Sequence, residues 1–582
     1  MSLHVYAALF LLIAVGCGQQ QTVPTVNAVA TTQSTTQTTT VIASQQASAV
    51  PPSASEVVPQ DVPSNIKLRD VSVEHGLEFN YDNGDRGKAL MTEATGGGAG
   101  WIDFDLDGQL DLYLVQGGIP DQKTPHPIGD RLFRSEHGFQ FKDVTPLTGI
   151  TDRLHGQGVA IGDFDNDGWD DVYVSNVGTN VLWRNQGDGT FADVTEEAGV
   201  GSPSWSTSAC WIDLDHDGDM DLYVCNYLDY NVRQPLQCFD RSGKPAICQP
   251  NDLSAEPNIF YENQGNGQFN DSTTTWGLDA PDGKSLGVVG ADFDRNGQID
   301  LYVANDVTAN HLFVRQKNHQ FQECAVVQGC AASEVGTFQA SMGIACDDYD
   351  NNGYPDLYLT HFSDDSNTLY SNLGNGFRDV TRRVGLHIPT LPFLGFGTVM
   401  SDFNADAKMD IFIANGHVNK SVGGQAIKMT PQLFTYCDKR WEEVSQSGGD
   451  YFQQQFLGRG VAVGDFDNNG SQDILVIHQL DQLALLSNES PRGHWLNVEL
   501  RGRESNRHGI GATVELVCQQ ERWVKQLQAG GSYCSTHQAR MFFGLGQIDG
   551  PCTIKVHWPS GKVTMHEISE IDQEVFLDEG ES

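Results

Sequence analysis

The sequence predicts an all-β protein: a seven-bladed β-propeller followed by a β-sandwich-like domain at the C-terminus. Three observations predict it. An aspartate-rich hairpin recurs seven times, its starts 50 to 79 residues apart, and each copy runs straight into a strand-like segment such as DLYLV or DVYVS. Between copies stand a Leu-aromatic strand, a polar Gly-containing turn and an F-x-D-V-T-like strand, so each repeat holds about four strands, and such units repeated around an axis close into a propeller. Past residue 490 the repeats stop, and β-branched and aromatic runs between Gly-bounded turns replace them, the composition of a separate all-β module.

The elements follow in order. Residues 1–17 read as an export signal, because the apolar run Val5 to Val15 is too short to cross a bilayer as a helix. Its end, Ala14-Val15-Gly16-Cys17, resembles a bacterial lipobox. The resemblance implies a lipid on Cys17 as the protein's only hold on a membrane. It departs from the pattern in having His4, rather than Lys or Arg, ahead of the apolar run. Gly18 does not match the inner-membrane retention signal, which points to the outer membrane, the cell surface or the periplasm. Residues 18–62 are mostly Gln, Thr, Ser, Val, Ala and Pro, without charge before Glu56. That composition buries no core and makes a disordered tether, spanning roughly 35 Å at about 5–6 Å × √n. The propeller is expected over 63–490 and the last domain over 491–580.

The seven hairpins share one spacing. Loop one has Asp103, Asp105, Asp107, Gly108 and Asp111; loop two has Asp163, Asp165, Asp167, Gly168 and Asp171. Loop three has Asp213, Asp215, Asp217, Gly218 and Asp221; loop four has Asp292, Asp294, Asn296, Gly297 and Asp300. Loop five has Asp348, Asp350, Asn352, Gly353 and Asp356, and loop seven has Asp465, Asp467, Asn469, Gly470 and Asp473. Loop six has Asp402, Asn404, Asp406 and Asp410, but Ala407 where Gly is expected. Side-chain oxygens at positions one, three and five converge as the chain turns, Gly at position six permits the bend, and a carbonyl at seven and a carboxylate at nine complete a hard-oxygen cage suited to Ca²⁺. An EF-hand needs Glu at position twelve, whereas that position here is Leu114, Val174, Val224, Val303, Leu359, Ile413 and Val476, all apolar and inside strand-like runs. The loops therefore join strands. Twenty-four carboxylates at these positions repel one another without counter-ions. Up to seven Ca²⁺ are expected, loop six being the doubtful one.

The later strands repeat in register with the loops: LFRS (132), LWRN (182), FYEN (260), LFVR (312), LYSN (369), LFTY (433) and LLSN (485), then FKDVT (141), FADVT (191), FNDST (269), FQECA (321), FRDVT (377) and WEEVS (441). An unmatched copy, LRDVS (68–72), precedes loop one, and none follows LLSN. The N-terminal copy is therefore expected to complete the last blade, which removes two open sheet edges and fastens the ring.

The formal net charge of −41 argues against nucleic acid and anionic membrane surfaces as partners. On the residues quoted, the repeats resemble FG-GAP/VCBS propeller repeats. The tail segments HWLNVEL (494–500), SNRHGIGATVEL (505–516), GGSYCS (530–535), FFGLG (542–546) and IKVHWPSGK (554–562) resemble the ASPIC/UnbV domain of the cartilage acidic protein family. The resemblance implies calcium in the Asp-rich loops and an extracellular binding role.

Cys238 and Cys248, in QCFDRSGKPAICQP, are expected to bridge; Cys324 and Cys330 form a second candidate pair, while Cys210 and Cys225 replace small residues of other blades and read as packing. No HExxH, P-loop or G-x-S-x-G elbow is present. GGSYCS with nearby His537 reads as a glycine-rich turn rather than a nucleophile, and His216 is expected to face solvent. Two functions remain: a calcium-stabilised, adhesion-type module for a protein or glycan ligand, or a secreted calcium-dependent enzyme on acidic polysaccharide. The enzyme would gather a basic or titratable cluster in the central channel, with Lys284, Arg459 and His155 as its candidates.

Overall fold

In the computed structural model, residues 65–120, 127–317, 320–420 and 426–581 are described. The export signal with Cys17 and the tether lie outside them. Seven antiparallel blades of four strands account for most of the described chain. Blade one is Ala99–Ile102, Asp111–Leu114, Arg131–Glu136 and Gln140–Asp143, paired in that order. Blades two to six repeat the pattern over 156–193, 206–271, 285–323, 344–379 and 395–443. Blade seven takes Gly458–Gly464, Asp473–His478 and Ala484–Asn488 from the end of the repeats, and its fourth strand is Leu68–Asp70. Leu68 stands opposite Asn488 and Asp70 opposite Leu486, so the ring is fastened by its N-terminal strand, as the phase of the repeats requires.

The second strand of each blade is buried on both faces because blades stack side by side. In Asp111–Leu114, Leu112 packs into a core shared with blade seven, beside Leu475 and Leu485. Its neighbour Tyr113 packs into a core shared with blade two, beside Val172 and Trp183. Alternate side chains of one strand thus serve two inter-blade cores, which is why these strands read as unbroken apolar runs.

The C-terminal domain has two sheets. Met541–Gly546, His494–Arg501 and Gln573–Asp578 form one, the last two strands parallel; Glu521–Gln526, Thr513–Cys518, Cys552–His557 and Val563–Ile568 form the other. Leu496, Val498 and Leu500 from the first sheet share one core with Val514, Leu516, Ile554 and Val556 from the second. Residues 527–540 leave this domain and enter the propeller. Ala529–Gly530 adds a fifth strand to blade four, opposite Val289 and Gly290. Ser532 and Ile344 of blade five exchange both backbone hydrogen bonds, at 2.9 and 2.6 Å. Val159 of blade two donates to the Cys534 carbonyl, Thr536 bonds Ala99 and Trp101 of blade one, and Gln538 bonds Val463 of blade seven. The segment therefore fills the centre of the ring along the inner strands.

Candidate metal loops and central channel

The Asp-rich loops share one hydrogen-bond pattern, from which loop three departs in placing Asp217 N–H on Asp215 and loop six in leaving Asp410 Oδ1 without a hydrogen bond. In loop one, Asp103 accepts from the backbone N–H of Asp107 and Gly108, both at 3.0 Å, while Asp111 accepts from Phe104 N–H and from Ser135 N–H. The position-one carboxylate so closes the turn, and the position-nine carboxylate ties it to the third strand. The position-nine bond to the residue after position one recurs at Phe164, Leu214, Phe293, Tyr349, Phe403 and Phe466. Two residues per loop are left-handed. The spacing foresees the one at position six; the second, at position four, is Leu106, Asn166, His216, Arg295, Asn351, Ala405 or Asn468, with φ between 51° and 62°. In loop six, Ala407 takes φ 67° and keeps its N–H on Asp402 at 2.8 Å, so the missing Gly leaves the turn intact. An alanine in that region costs about 1–2 kcal/mol.

Positions one and nine are buried in every loop except that Asp103 is half-buried, while positions three and five lie nearer solvent except for the buried Asn404 of loop six. Carboxylate oxygens of Asp103, Asp105 and Asp107 lie within 4.8 Å of one another, as do those of Asp213, Asp215 and Asp217; in loops two and four the convergent sets are Asp163, Asp165, Asp171 and Asp292, Asp294, Asp300. Burial, opposed in part by backbone N–H donors, pushes Asp103, Asp163, Asp348 and Asp465 up to about 6. Burial and the neighbouring Asp215 and Asp217 push Asp213 to about 7. Asp213 is fully buried, and its Oδ1 makes no hydrogen bond. A buried, unpaired carboxylate oxygen amid like charges is costly. An all-oxygen, anionic donor set with one orphaned buried oxygen fits a hard divalent cation, and these residues could hold it.

The C-terminal domain sits on this loop face. Gln526 accepts from Asp292 N–H at 2.8 Å and donates to Asp292 C=O at 2.9 Å. Gly493 and Gly546 donate to the carbonyls of Asn404 and Ala405 in loop six. Arg492 reaches Asn469 O and Ser471 Oγ at 2.7 Å, and Arg540 Nη1 lies 3.6 Å from Asp465. His508 pairs with Asp170 at 2.6 Å, and Lys525 with Asp347. His216, expected in solvent, is half-buried, and burial lowers its imidazole to about 4. The sequence gives no sign of the domain that covers it.

The channel candidates are all held by hydrogen bonds. Lys284 donates to Pro250 O and Asn251 Oδ1. His155 bonds the carbonyls of Gly118 and Thr92. Arg459 is fully buried, donates to the carbonyls of Ala94, Gly416 and Gly458, and lies 3.9 Å from the centre of the Phe396 ring. His155 and Arg459 thus reach the same short turn, Met91–Ala94, through Thr92 and Ala94, while Lys284 is engaged at Pro250 and Asn251. At the centre stands the GGSYCS turn itself. Tyr533 is fully buried, edge-on to Phe396 at 5.0 Å, with Gly96 N–H donating to its hydroxyl. A Cβ on Gly98 would lie 2.1 Å from the Cys534 carbonyl, so only glycine lets the turn pass. Burial pushes the Cys534 thiol up to about 12 and lowers His537 to about 4, and His537 Nδ1 accepts from Val463 N–H at 3.0 Å.

Cys238 and Cys248 are bridged. Cys324 and Cys330, the second candidate pair, are both free, as are the buried Cys210 and Cys225. A second bridge, Cys518–Cys552, was not foreseen from the sequence; it joins residues directly opposite on adjacent tail strands.

Comparison with known proteins agrees with this architecture. The FG-GAP-like repeat model matches residues 103–174, 163–224, 239–303 and 348–413, and the ASPIC and UnbV model matches 502–582. Cartilage acidic protein 1 of Mus musculus is 22% identical over 330 residues, covering 55% of this chain and 41% of the relative. The Homo sapiens protein is 22% identical over 321 residues, covering 54% and 39%. The chain thus matches about two fifths of the length of these relatives. Among solved structures, an N-acetylglucosamine-recognising lectin of Agrocybe aegerita aligns at 12% identity and TM-score 0.37, over 62% of this chain and 82% of the lectin. YCF48 from Cyanidioschyzon merolae aligns at 8% and 0.35, over 69% and 97%. Likeness that distant carries no functional argument. By its repeats and its tail, the chain is an FG-GAP-repeat protein with a C-terminal ASPIC and UnbV domain, related to the cartilage acidic proteins.

Proposed function

We propose that this protein is a calcium-stabilised, extracytoplasmic binding module that presents a protein- or glycan-binding surface, held to its membrane only by a lipid on Cys17. The observation that carries this reading is the filled channel. The tail segment 529–538 occupies the centre of the ring, and the tail domain covers the Asp-rich face. Calcium in the loops, at the 10⁻⁴–10⁻³ M dissociation constants common for extracellular modules, would brace the platform on which the tail domain rests.

The alternative, a calcium-dependent enzyme on acidic polysaccharide, needs a channel cluster with an acid–base pair; of the residues proposed for it, His155 and Arg459 bond carbonyls of one turn, Met91–Ala94, and Lys284 bonds Pro250. The test is a glycan array that includes acidic polysaccharides, together with immobilised matrix proteins, probed with the calcium-loaded full chain. Retention that is lost in chelator, with the polysaccharide intact, supports the binding module. Depolymerisation of a polysaccharide on the array overturns it in favour of the enzyme.

A further inference from the structure

The seven loops differ in one respect that their shared motif hides: what stands beside their ligand-position carboxylates. In loop one, Arg134 of the adjoining third strand places Nη2 2.5 Å from Asp105 Oδ2 and 3.3 Å from Asp107 Oδ2. One guanidinium thus spans the carboxylates at positions three and five, two of the three that converge there. The place occupied by Arg134 in this strand is held by Arg184, Glu262, Val314, Ser371, Thr435 and Ser487 in the other blades. Arginine charge also reaches Asp165 of loop two from Arg184 and the carboxylates of loop three from Arg315. At loops two and seven the guanidinium of Arg507 or Arg540 approaches the position-one carboxylate, at 4.0 and 3.6 Å. Only Arg134 bridges positions three and five among the described ion pairs. Loop six shows a looser contact, Lys408 at 3.7 Å from Asp406.

We propose that Arg134 is a built-in counter-ion of loop one, against which a calcium ion must compete, so that loop one is the weakest of the seven sites and the last to fill. The inference rests on the calcium reading of the loops. Its physical content is charge exchange. Arg134 holds the Oδ2 atom of each carboxylate and leaves Asp105 Oδ1 without a hydrogen bond, so a divalent cation on the remaining oxygens draws charge from the ion pair and meets repulsion from the arginine. The Arg134 side chain is 40% exposed, so it can swing into solvent once displaced, and the site is weakened rather than abolished. Loss of an ion pair of this exposure together with that repulsion gives a site about tenfold weaker than its neighbours. Loop six, with the poorest sequence match, keeps its turn geometry and is therefore not expected to be the weakest.

The experiment is a calcium titration of the chelator-stripped full chain by competition with a chromophoric chelator and by calorimetry. The wild type is expected to show one site about tenfold weaker than the rest. Asp105→Asn should remove that phase. Arg134→Gln and Arg134→Met should bring it up to the others. Arg131→Gln, whose arginine pairs with Asp143 at the other end of the same strand, should change nothing. A weak phase that survives Asp105→Asn, or that stays in place in both Arg134 variants, overturns the inference while leaving the calcium reading standing. A wild type that binds no calcium overturns both.

Discussion

Replacing Tyr533 by alanine removes the aromatic at the heart of the channel plug. The ring is fully buried, meets Phe396 edge-on at 5.0 Å, and its hydroxyl accepts from Gly96 N–H at 3.3 Å. Truncation of a buried aromatic costs about 3–5 kcal/mol, and the lost ring pair falls within that range. The described fold lies within residues 65–581, about 520 residues, so at about 2.1 cal/mol/K per residue its unfolding entropy is about 1.1 kcal/mol/K. A 4 kcal/mol loss then lowers Tm by about 4 °C. Tyr533→Phe keeps the packing and gives up one hydrogen bond, about 1 kcal/mol or 1 °C. The assay is calorimetric unfolding of the full chain beside limited proteolysis. If the plug holds the tail domain to the ring, Tyr533→Ala also opens 528–540 to protease, which Tyr533→Phe does not. A Tyr533→Ala protein that melts within 1 °C of wild type and resists cleavage there would show that the plug does not hold the tail domain to the ring.

Three other perturbations test separate parts of the fold. Leu68→Asp places a charge in the core shared by blades six and seven, where Leu68 is 1% exposed beside Leu486; it should cost more than 3 kcal/mol and raise aggregation, read by denaturation and light scattering. Replacing both Cys518 and Cys552 by serine opens a cross-link over a separation of 34 residues. It should destabilise the tail by about 4 kcal/mol on the chain-entropy account, measured against the wild type under reducing and oxidising conditions. Glu579 is buried and accepts from the backbone N–H of Arg503, Glu504 and Ser505 and from the hydroxyls of Ser505 and Ser560, which holds it at about 2, below its usual 4.5. Its stabilisation is present above about pH 4.5 and is lost as pH falls toward 2, so Glu579→Gln should be less stable by about 2 kcal/mol at pH 7, a figure discounted for solvent near the chain end, and should converge with wild type near pH 2.

Much of the propeller was legible because its repeats are local. Position, spacing and the apolar residues after each loop place strands without tertiary information, and the unmatched LRDVS copy announced the closure of blade seven against Asn488. What stayed hidden was long-range. Tyr533 meets Gly96 and Phe396 across hundreds of residues, and nothing periodic in GGSYCS marks it as a plug. Cys518 and Cys552 pair because two tail strands align in register, which spacing alone does not fix. His216 and Asp292 look like residues of a solvent-facing loop until the tail domain is laid over them. The left-handed residue at position four escaped notice for a different reason: Leu106, Arg295 and Ala405 are not residues that advertise positive φ.

Divalent cations in the Asp-rich turns would support the ring. The direct measurement is calcium content after equilibrium dialysis of the full chain, with Tm in calcium and in excess chelator. At free calcium about ten times the dissociation constant, each occupied site adds about 1.4 kcal/mol, so six or seven sites add about 9 kcal/mol and about 8 °C at the entropy above. Six or more calcium ions per chain, with a fall of that order on chelation, is the expected result. Less than one ion per chain, with an unchanged Tm, would contradict it.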